Sequence, residues 1–261
     1  MGKVIPAVDY TEPMANLPLV MVQVTRFACG GVCVGVANSN VVADGISGTL
    51  FVDAWAKLAR GRTLGEDEKP LFLDKMVIRR SEGTTADEKF FSASRFEHRE
   101  FKTLPVIIGR YESVAAYIWR CACKARNADH NQPTVVRTVA GTRNRLKPPL
   151  PPNYFGNATH PTVTPKCLSG DIASKPLRCG CVEAPFLGNP NLSIWSWMTD
   201  MPIYGADFGW GRPIYMGPGE LKGDGRTYIM PAPSGDVTLS VAIRLQKPHV
   251  QPFVKFFYQD I

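Results

Sequence analysis

The sequence predicts a mixed α/β fold, and three observations predict it. An apolar strand-like run near the N-terminus folds back on itself across a Cys-Gly-Gly turn. Residues 110–126 carry clear helical periodicity. The last quarter sets short apolar β-runs ahead of an amphipathic end. With 261 residues the chain is long enough for one large or two ordinary domains. Hydrophobic content of 44% and charged content of 20% are those of a soluble globular protein. No internal repeat or low-complexity segment interrupts it.

Residues 17–27 read as a strand, Cys29-Gly30-Gly31 as a turn and residues 32–37 as a second strand, together a hairpin. A helix is expected over 46–59, with Leu50, Phe51, Ala54, Trp55 and Leu58 on one face. Residues 61–108 have little periodicity and much charge and proline. They read as a long connection, unusual inside a compact domain. Residues 110–126 form an amphipathic helix with Val114, Ile118, Cys121, Ala122 and Ala125 on its stripe. A β-rich run covers 134–140, and a proline-rich turn covers 147–152. Strands are expected at 192–197, 227–230 and 237–245. A terminal helix over 250–258 is expected to turn Phe253, Val254 and Phe257 inward.

Charge and cysteines narrow the function classes. The net charge of +7 is spread along the chain, without a run of five or six like charges or a basic–aromatic pattern. A nucleic-acid partner is therefore not expected, whereas a few cations suffice to attract an anionic small molecule. No apolar run approaches the roughly 18 residues that span a bilayer, and the first residues lack the apolar core of a signal peptide. Pro6 breaks the myristoylation pattern after Gly2. Seven cysteines, an odd number, point to free thiols in a reducing compartment, so a cytoplasmic location is expected. Cys121 and Cys123, and Cys179 and Cys181, have one residue between them where zinc ligands have two to four, and the four histidines show no metal spacing. No metal is expected.

Two short motifs stand out. Residues 38–45 read Asn-Ser-Asn-Val-Val-Ala-Asp-Gly, at the junction of the second strand and the first helix. Residues 207–211 read Asp-Phe-Gly-Trp-Gly. Taken singly, the first is a strand-to-helix turn and the second a glycine-rich turn anchored by aromatic packing. Taken together they resemble the two hallmarks of the plant BAHD acyltransferases, which move an acyl group from coenzyme A to an alcohol or amine. The segments 110–126, 144–158, 186–191, 190–197 and 207–216 extend the resemblance over essentially the whole chain. It is strongest to the hydroxycinnamoyltransferases, and among them to those acylating spermidine.

The resemblance implies a chloramphenicol-acetyltransferase-like architecture of two domains. Residues 1–60 would be a remnant of an incomplete N-terminal domain, 61–108 a crossover loop and 109–261 the C-terminal domain. Further stretches are expected to be missing near 109–110 and near 177–182. The family's first hallmark is His-x-x-x-Asp-Gly, with histidine as general base; here that position is Asn40. Asp44 and Gly45 keep the spacing, and Asp44 would pair with Arg143 or Arg145. Asp207, Phe208, Gly209, Trp210 and Gly211 would be structural rather than catalytic. Trp197 would lie by the thioester carbonyl, where an indole N–H donates to developing negative charge, or else it is a buried tryptophan with its N–H satisfied. Thr199 stands where shikimate-using relatives have an arginine, which points to an amine acceptor such as spermidine. Asp200 beside it could attract a polyamine cation, and Trp195 would crowd a shikimate-type site. The implied co-substrate is a coenzyme A thioester, with no resident cofactor and a monomeric state. An impaired acyltransferase, a non-catalytic acyl-CoA-binding descendant and a shikimate or quinate acylating enzyme are the readings left open.

Overall fold

A computed structural model of the chain describes residues 4–9, 11–64, 71–78, 110–127, 129–146, 148–174, 192–196, 201, 203–221, 223–234 and 237–259. Most of the expected 61–108 connection lies outside them. So do Trp197, Thr199, Asp200, Cys179 and Cys181.

The N-terminal part opens on the expected hairpin. Strand β1 (Val20–Arg26) pairs antiparallel with β2 (Val32–Asn38), Val22 opposite Val36 and Val24 opposite Val34. The Phe27 N–H bonds to the Gly31 carbonyl at 2.8 Å, and Gly30 adopts φ +87°, which glycine does without a Cβ clash. Met21, Gln23 and Thr25 are half-buried, while Val20, Val22 and Val24 are 41, 43 and 51% exposed. A stripe of valines thus faces outward. Among the described residues no third strand joins this sheet.

Helix α1 (Gly45–Ala59) follows. Asp44 is its N-cap, with Oδ1 accepting from the Ser47 N–H at 2.9 Å, a bond that satisfies an otherwise orphan helix donor. Gly61, at φ +72°, donates to the Leu58 carbonyl at 2.9 Å and ends it. The expected inward face is only partly found. Leu50, Ala54 and Trp55 are half-buried, but Phe51 and Leu58 are exposed, and the buried positions are Ser47 and Ala56. This helix docks through its two ends and Trp55, not through a continuous apolar stripe.

The hydrophobic core lies after residue 110. Helix α2 (Arg110–Arg126) has Glu112 in its first turn and Lys124 and Arg126 in its last, each complementing the helix dipole. Strands β3 (Pro133–Thr134) and β4 (Val136–Gly141) come next, then β5 (Thr159–Val163), β6 (Cys167–Leu168) and the short α3 (Ser169–Ser174). Strands β7 (Leu192–Ser196), β8 (Arg226–Pro231) and β9 (Leu239–Ile243) lead to α4 (Lys247–Gln259). Five strands form one sheet in the order β5-β4-β7-β8-β9, while β3 and β6 pair separately. The central strands β4, β7 and β8 are parallel, and the two outer ones are antiparallel to their neighbours.

Helices α2 and α4 pack together over one face of this sheet. Ile118, Cys121, Ala122, Leu192, Ile194 and Ile229 are there wholly removed from solvent. The Trp119 indole N–H donates to Thr134 Oγ1 at 2.9 Å, so its one polar atom is satisfied. In α4, Phe253 is buried and Phe257 is packed on the core as expected, but Val254 is 43% exposed. One residue on from Phe253 is about 100° around the helix, and Phe256 fills the inward position instead.

Ile194 reports on this core. Ile194→Ala should lower unfolding stability by about 2–5 kcal/mol, whereas Val254→Ala should change it by about 0.5 kcal/mol or less. Urea unfolding followed by circular dichroism measures both.

Candidate functional site

The parallel strands β4, β7 and β8 all release the chain at the same edge of the sheet, after Gly141, Ser196 and Pro231. In open α/β sheets ligands bind outside this carboxyl edge. The first motif is held there. Arg143, two residues beyond β4, reaches Asp44, and Met201, beyond β7, approaches Gly45. A Cβ at Gly45 would stand 3.3 Å from the Met201 sulfur.

The contact around Asp44 is dense. Arg143 Nη2 lies 2.8 Å from both Asp44 oxygens and 2.8 Å from Ser47 Oγ. Its Nη1 donates to the Tyr154 carbonyl at 2.7 Å, and its guanidinium stacks 5.3 Å from the Tyr154 ring centroid. Asp44 Oδ2 also accepts the Ala158 N–H at 3.0 Å. Ser47 Oγ donates to the Gly156 carbonyl at 2.9 Å and accepts the Gly156 N–H at 3.1 Å. The Asp44 side chain is 2% exposed and that of Arg143 14%. This is a buried, hydrogen-bonded ion pair joining the two parts of the chain. Of the two arginines considered, Arg143 is the partner; Arg145 is exposed. Burial pushes the Tyr154 phenol upward, and the Arg143 charge works against that shift.

Asn40 sits in the turn between β2 and Asp44. Ser39 closes this turn by accepting the Val42 N–H at 2.9 Å, and the Asn38 amide donates to the Ala43 carbonyl at 3.1 Å. Asn40 itself is exposed. The turn thus presents residue 40 outward while Asp44 is drawn in.

The second motif is tied to the other end of α1. Asp207 Oδ2 accepts from Arg60 Nη1 at 3.1 Å, and its Oδ1 accepts the N–H groups of Gly209 at 2.8 Å and Gly211 at 3.1 Å. Phe208 packs edge-on against Trp55 of α1, with centroids 4.7 Å apart, and stacks on Trp210. Gly209 and Gly211 have φ of +101° and +96°, left-handed values that other residues adopt only at a cost. The Gly209 N–H bond holds the Asp207 carboxyl below the ordinary carboxylate range, with Gly211, Arg60 and Arg62 adding to the effect.

Ser47 and Gly156 were not singled out from sequence, yet both stand at the centre of the site. Their signal was faint. Ser47 is three residues after the capping aspartate, and Gly156 belongs to a Tyr-Phe-Gly-Asn turn where a Cβ would meet Tyr154 Oη at 2.5 Å. Trp197 and Thr199, proposed for the reacting centre and the acceptor, lie outside the described residues. Among the described residues, no cluster of three His, Cys, Asp or Glu could hold a metal, and no helix is long and apolar enough to cross a membrane.

A mixed sheet covered on one face by helices has its parallel edge clamped to a capped Asn-x-x-x-Asp-Gly turn. Solved structures share that fold. Vinorine synthase matches with a TM-score of 0.64 at 19% identity, over 96% of this chain and 68% of that one. TRI101 of F. sporotrichioides, solved with coenzyme A and T-2, matches with a TM-score of 0.67 at 16% identity, over 93% of this chain and 69% of that one. The sequence model described as "Transferase family" matches residues 1–106, 92–184 and 171–260. The chain belongs to that family, the BAHD acyltransferases.

Characterised relatives agree. Hydroxycinnamoyl-CoA:piscidic acid hydroxycinnamoyltransferase of Actaea racemosa is 34% identical over 349 residues, covering 99% of this chain and 74% of that protein. Shikimate O-hydroxycinnamoyltransferase of Nicotiana tabacum is 32% identical, with 99% and 74% covered. A hydroxycinnamoyl-CoA:5-hydroxyanthranilate N-hydroxycinnamoyltransferase of Avena sativa is 30% identical, with 98% and 71% covered. The first alignment is longer than the 261 residues of this chain. It therefore spans positions of the relative that have no counterpart here.

Removing one member of a buried ion pair strands the other. Arg143→Met should therefore cost about 3–5 kcal/mol in urea unfolding, and adding Asp44→Asn should recover part of that loss. The Asp207 tie behaves differently with pH. A depressed carboxyl adds stability above its unfolded value, near pH 3.9, and loses it as pH falls through the folded value. Tryptophan fluorescence from Trp55 and Trp210 should hold through mild acid and change only below that range. Asp207→Asn should abolish this acid transition.

Proposed function

We propose that this chain carries the scaffold of a transferase moving a hydroxycinnamoyl group from coenzyme A to an amine, with its proton-transfer step impaired. In the intact reaction the amine nitrogen attacks the thioester carbonyl and a C–N bond forms. The C–S bond then breaks, and the coenzyme A sulfur leaves with the proton that the amine gives up. A positioned imidazole carrying that proton contributes roughly 10²–10⁴-fold in rate. An amide at Asn40 can hold a hydrogen bond but does not take up a proton near neutral pH. The observation that carries the reading is the contrast within one motif: the Asp44–Arg143 clamp is complete, and the residue it positions is not a base.

Three strands of support bear on the finer points. The relatives named above are hydroxycinnamoyltransferases, which supports the donor. Thr199 in place of an arginine, and Asp200 beside it, support an amine acceptor, in the first instance a polyamine. The family match falls into three pieces meeting at 92–106 and 171–184. That supports an internally shortened chain with breaks near 109–110 and 177–182. Five free thiols among the described residues fit a reducing, cytoplasmic setting.

The test is Asn40→His in the otherwise unchanged chain, with release of the coenzyme A thiol followed from a hydroxycinnamoyl-CoA. The expected gain is about 10²–10⁴-fold, with saturable binding of the thioester already present in the Asn40 protein. An unchanged rate in a variant with unaltered unfolding sinks the idea that residue 40 limits the reaction. Binding without turnover in both proteins would favour a non-catalytic acyl-CoA-binding descendant.

A further inference from the structure

A cavity of about 310 Å³ lies where α2, α3 and α4 meet. It is beside β3, since Cys123 in its lining reaches Thr134 of that strand at 4.0 Å. Strand β4 starts just after β3 and runs six residues to the carboxyl edge that holds the Asp44 clamp. At about 3.3 Å per residue the two ends of β4 are roughly 17 Å apart. The cavity sits at the starting end, and neither sequence motif lines it.

Its most buried side chains are polar but uncharged. Cys123 and Ser169 are 7 and 4% exposed. Burial pushes the Cys123 thiol up, against a hydrogen bond with Ser169, so it stays neutral near pH 7. Carbon surface comes from the Phe256 ring, Gly170 and Ala173. Three side chains bearing N–H groups complete the lining, and each is held. The Lys124 ammonium stands 5.6 Å from the Phe256 centroid, a cation over a ring. The His130 ring lies against bare Gly170 backbone, where a Cβ would come within 2.4 Å of Nδ1, and the His130 carbonyl accepts the Gly170 N–H at 3.0 Å. Asn127 follows α2 at φ +43°, its N–H on the Lys124 carbonyl at 3.2 Å. Such left-handed backbone is uncommon outside glycine, and asparagine is among the residues that adopt it most readily. Among the described residues no carboxylate lines the cavity. Asp129 nearby turns its Oδ1 to the Asn131 N–H at 3.0 Å.

We propose that this cavity is a ligand site apart from the acyl-transfer centre, and that it takes a small monocarboxylate with an apolar body. A lysine with no carboxylate among its fellow lining residues favours an anion. The carboxylate meets the Lys124 ammonium in a charge-assisted hydrogen bond, stronger than a neutral one, and the Asn127 amide adds a donor. The apolar body lies on Phe256 and Ala173. Cys123 and Ser169 bond to each other, so covering them with carbon strands no buried polar group. An inorganic oxyanion would leave the carbon surface in water. A second carboxylate on the ligand would find no second lysine or arginine in the lining. Size points the same way. A water molecule's share of liquid volume is about 30 Å³, and small-ligand pockets start near 300 Å³, so the occupant is small. Neither motif contributes, so binding here does not depend on the acyl-transfer reading.

The experiment is calorimetric titration of the unmodified 261-residue chain with four probes. Hexanoate has charge and body, hexanol the body alone, acetate the charge alone, and inorganic phosphate is an oxyanion without a body. Saturable binding is expected for hexanoate, at least about tenfold tighter than for any of the other three. It should weaken as salt rises. Lys124→Met keeps the aliphatic stem and removes the charge; it should weaken hexanoate about tenfold and leave hexanol unchanged. Ala173→Trp fills the cavity and should abolish hexanoate binding, with circular dichroism showing that the variant folds; if it does not fold, Lys124→Met decides alone. Hexanoate binding no tighter than hexanol, weaker than phosphate, or indifferent to Lys124→Met overturns the proposal. A hydroxycinnamoyl-CoA titration at saturating hexanoate locates the site. An unchanged thioester affinity is expected, and mutual displacement would put hexanoate in the acyl-transfer centre and overturn the proposal. If hexanoate binds and the thioester does not, the acyl-transfer reading fails and this cavity stands.

Discussion

The arrangement depends first on one buried charge pair. Asp44 and Arg143 come from opposite parts of the chain, and both are largely withdrawn from water. A desolvated carboxylate is costly unless every lone pair finds a donor, and here each does. The Asp44 oxygens receive the Ser47 and Ala158 N–H groups as well as the guanidinium. The same carboxylate therefore starts α1, fixes the turn at residues 154–158 and clamps the N-terminal hairpin region to the sheet edge. Among the described residues, Phe51 and Leu58 of α1 face solvent and add no buried apolar contact of this kind. Specificity of docking rests on this polar network more than on apolar area.

That division of labour shows which part of the motif the fold depends on. Asp44 and residue 40 belong to one short motif but do separate work. The aspartate points inward and holds the fold; residue 40 is displayed, exposed, on a tight turn. Replacing an exposed turn residue with asparagine, a good turn former, costs the fold little. Replacing the aspartate would strand a buried arginine. Stability alone would permit change at the first position but not at the second.

Much of the fold was legible because local signals and burial agree. Residues 110–126 show a helical stripe, and the same residues, with Trp119 and Cys123 added, form the core. The hairpin turn is written in its glycines. What escaped was short or non-local. Strand β5 reads Thr-His-Pro-Thr-Val, and β6 is two residues long, so neither gives an apolar alternation. Val254 reads as inward from its apolar side chain alone, whereas Phe253, Phe256 and Phe257 together set the register of α4 and turn it to solvent. At the site, Asp44 and its arginine were expected on resemblance. Ser47 and Gly156 could not be, because their importance arises only when segments 109 residues apart in sequence meet. The valine stripe of β1 alternates as a half-buried strand should, yet nothing in that alternation says which face is covered.

Helix α1 is pinned at one end by a residue 99 positions away and at the other by a residue 147 positions away. That has a consequence for how the chain is made. A ribosome adds about 5–20 residues per second, so α1 and the valine-striped hairpin wait on the order of ten seconds before the second anchor is synthesised. Until Arg143 is made, the N-terminal third has its local turns but no partner for its aspartate. Its open apolar edge is then a natural substrate for nascent-chain chaperones, and slowing translation late in the message should matter more to yield than slowing it early.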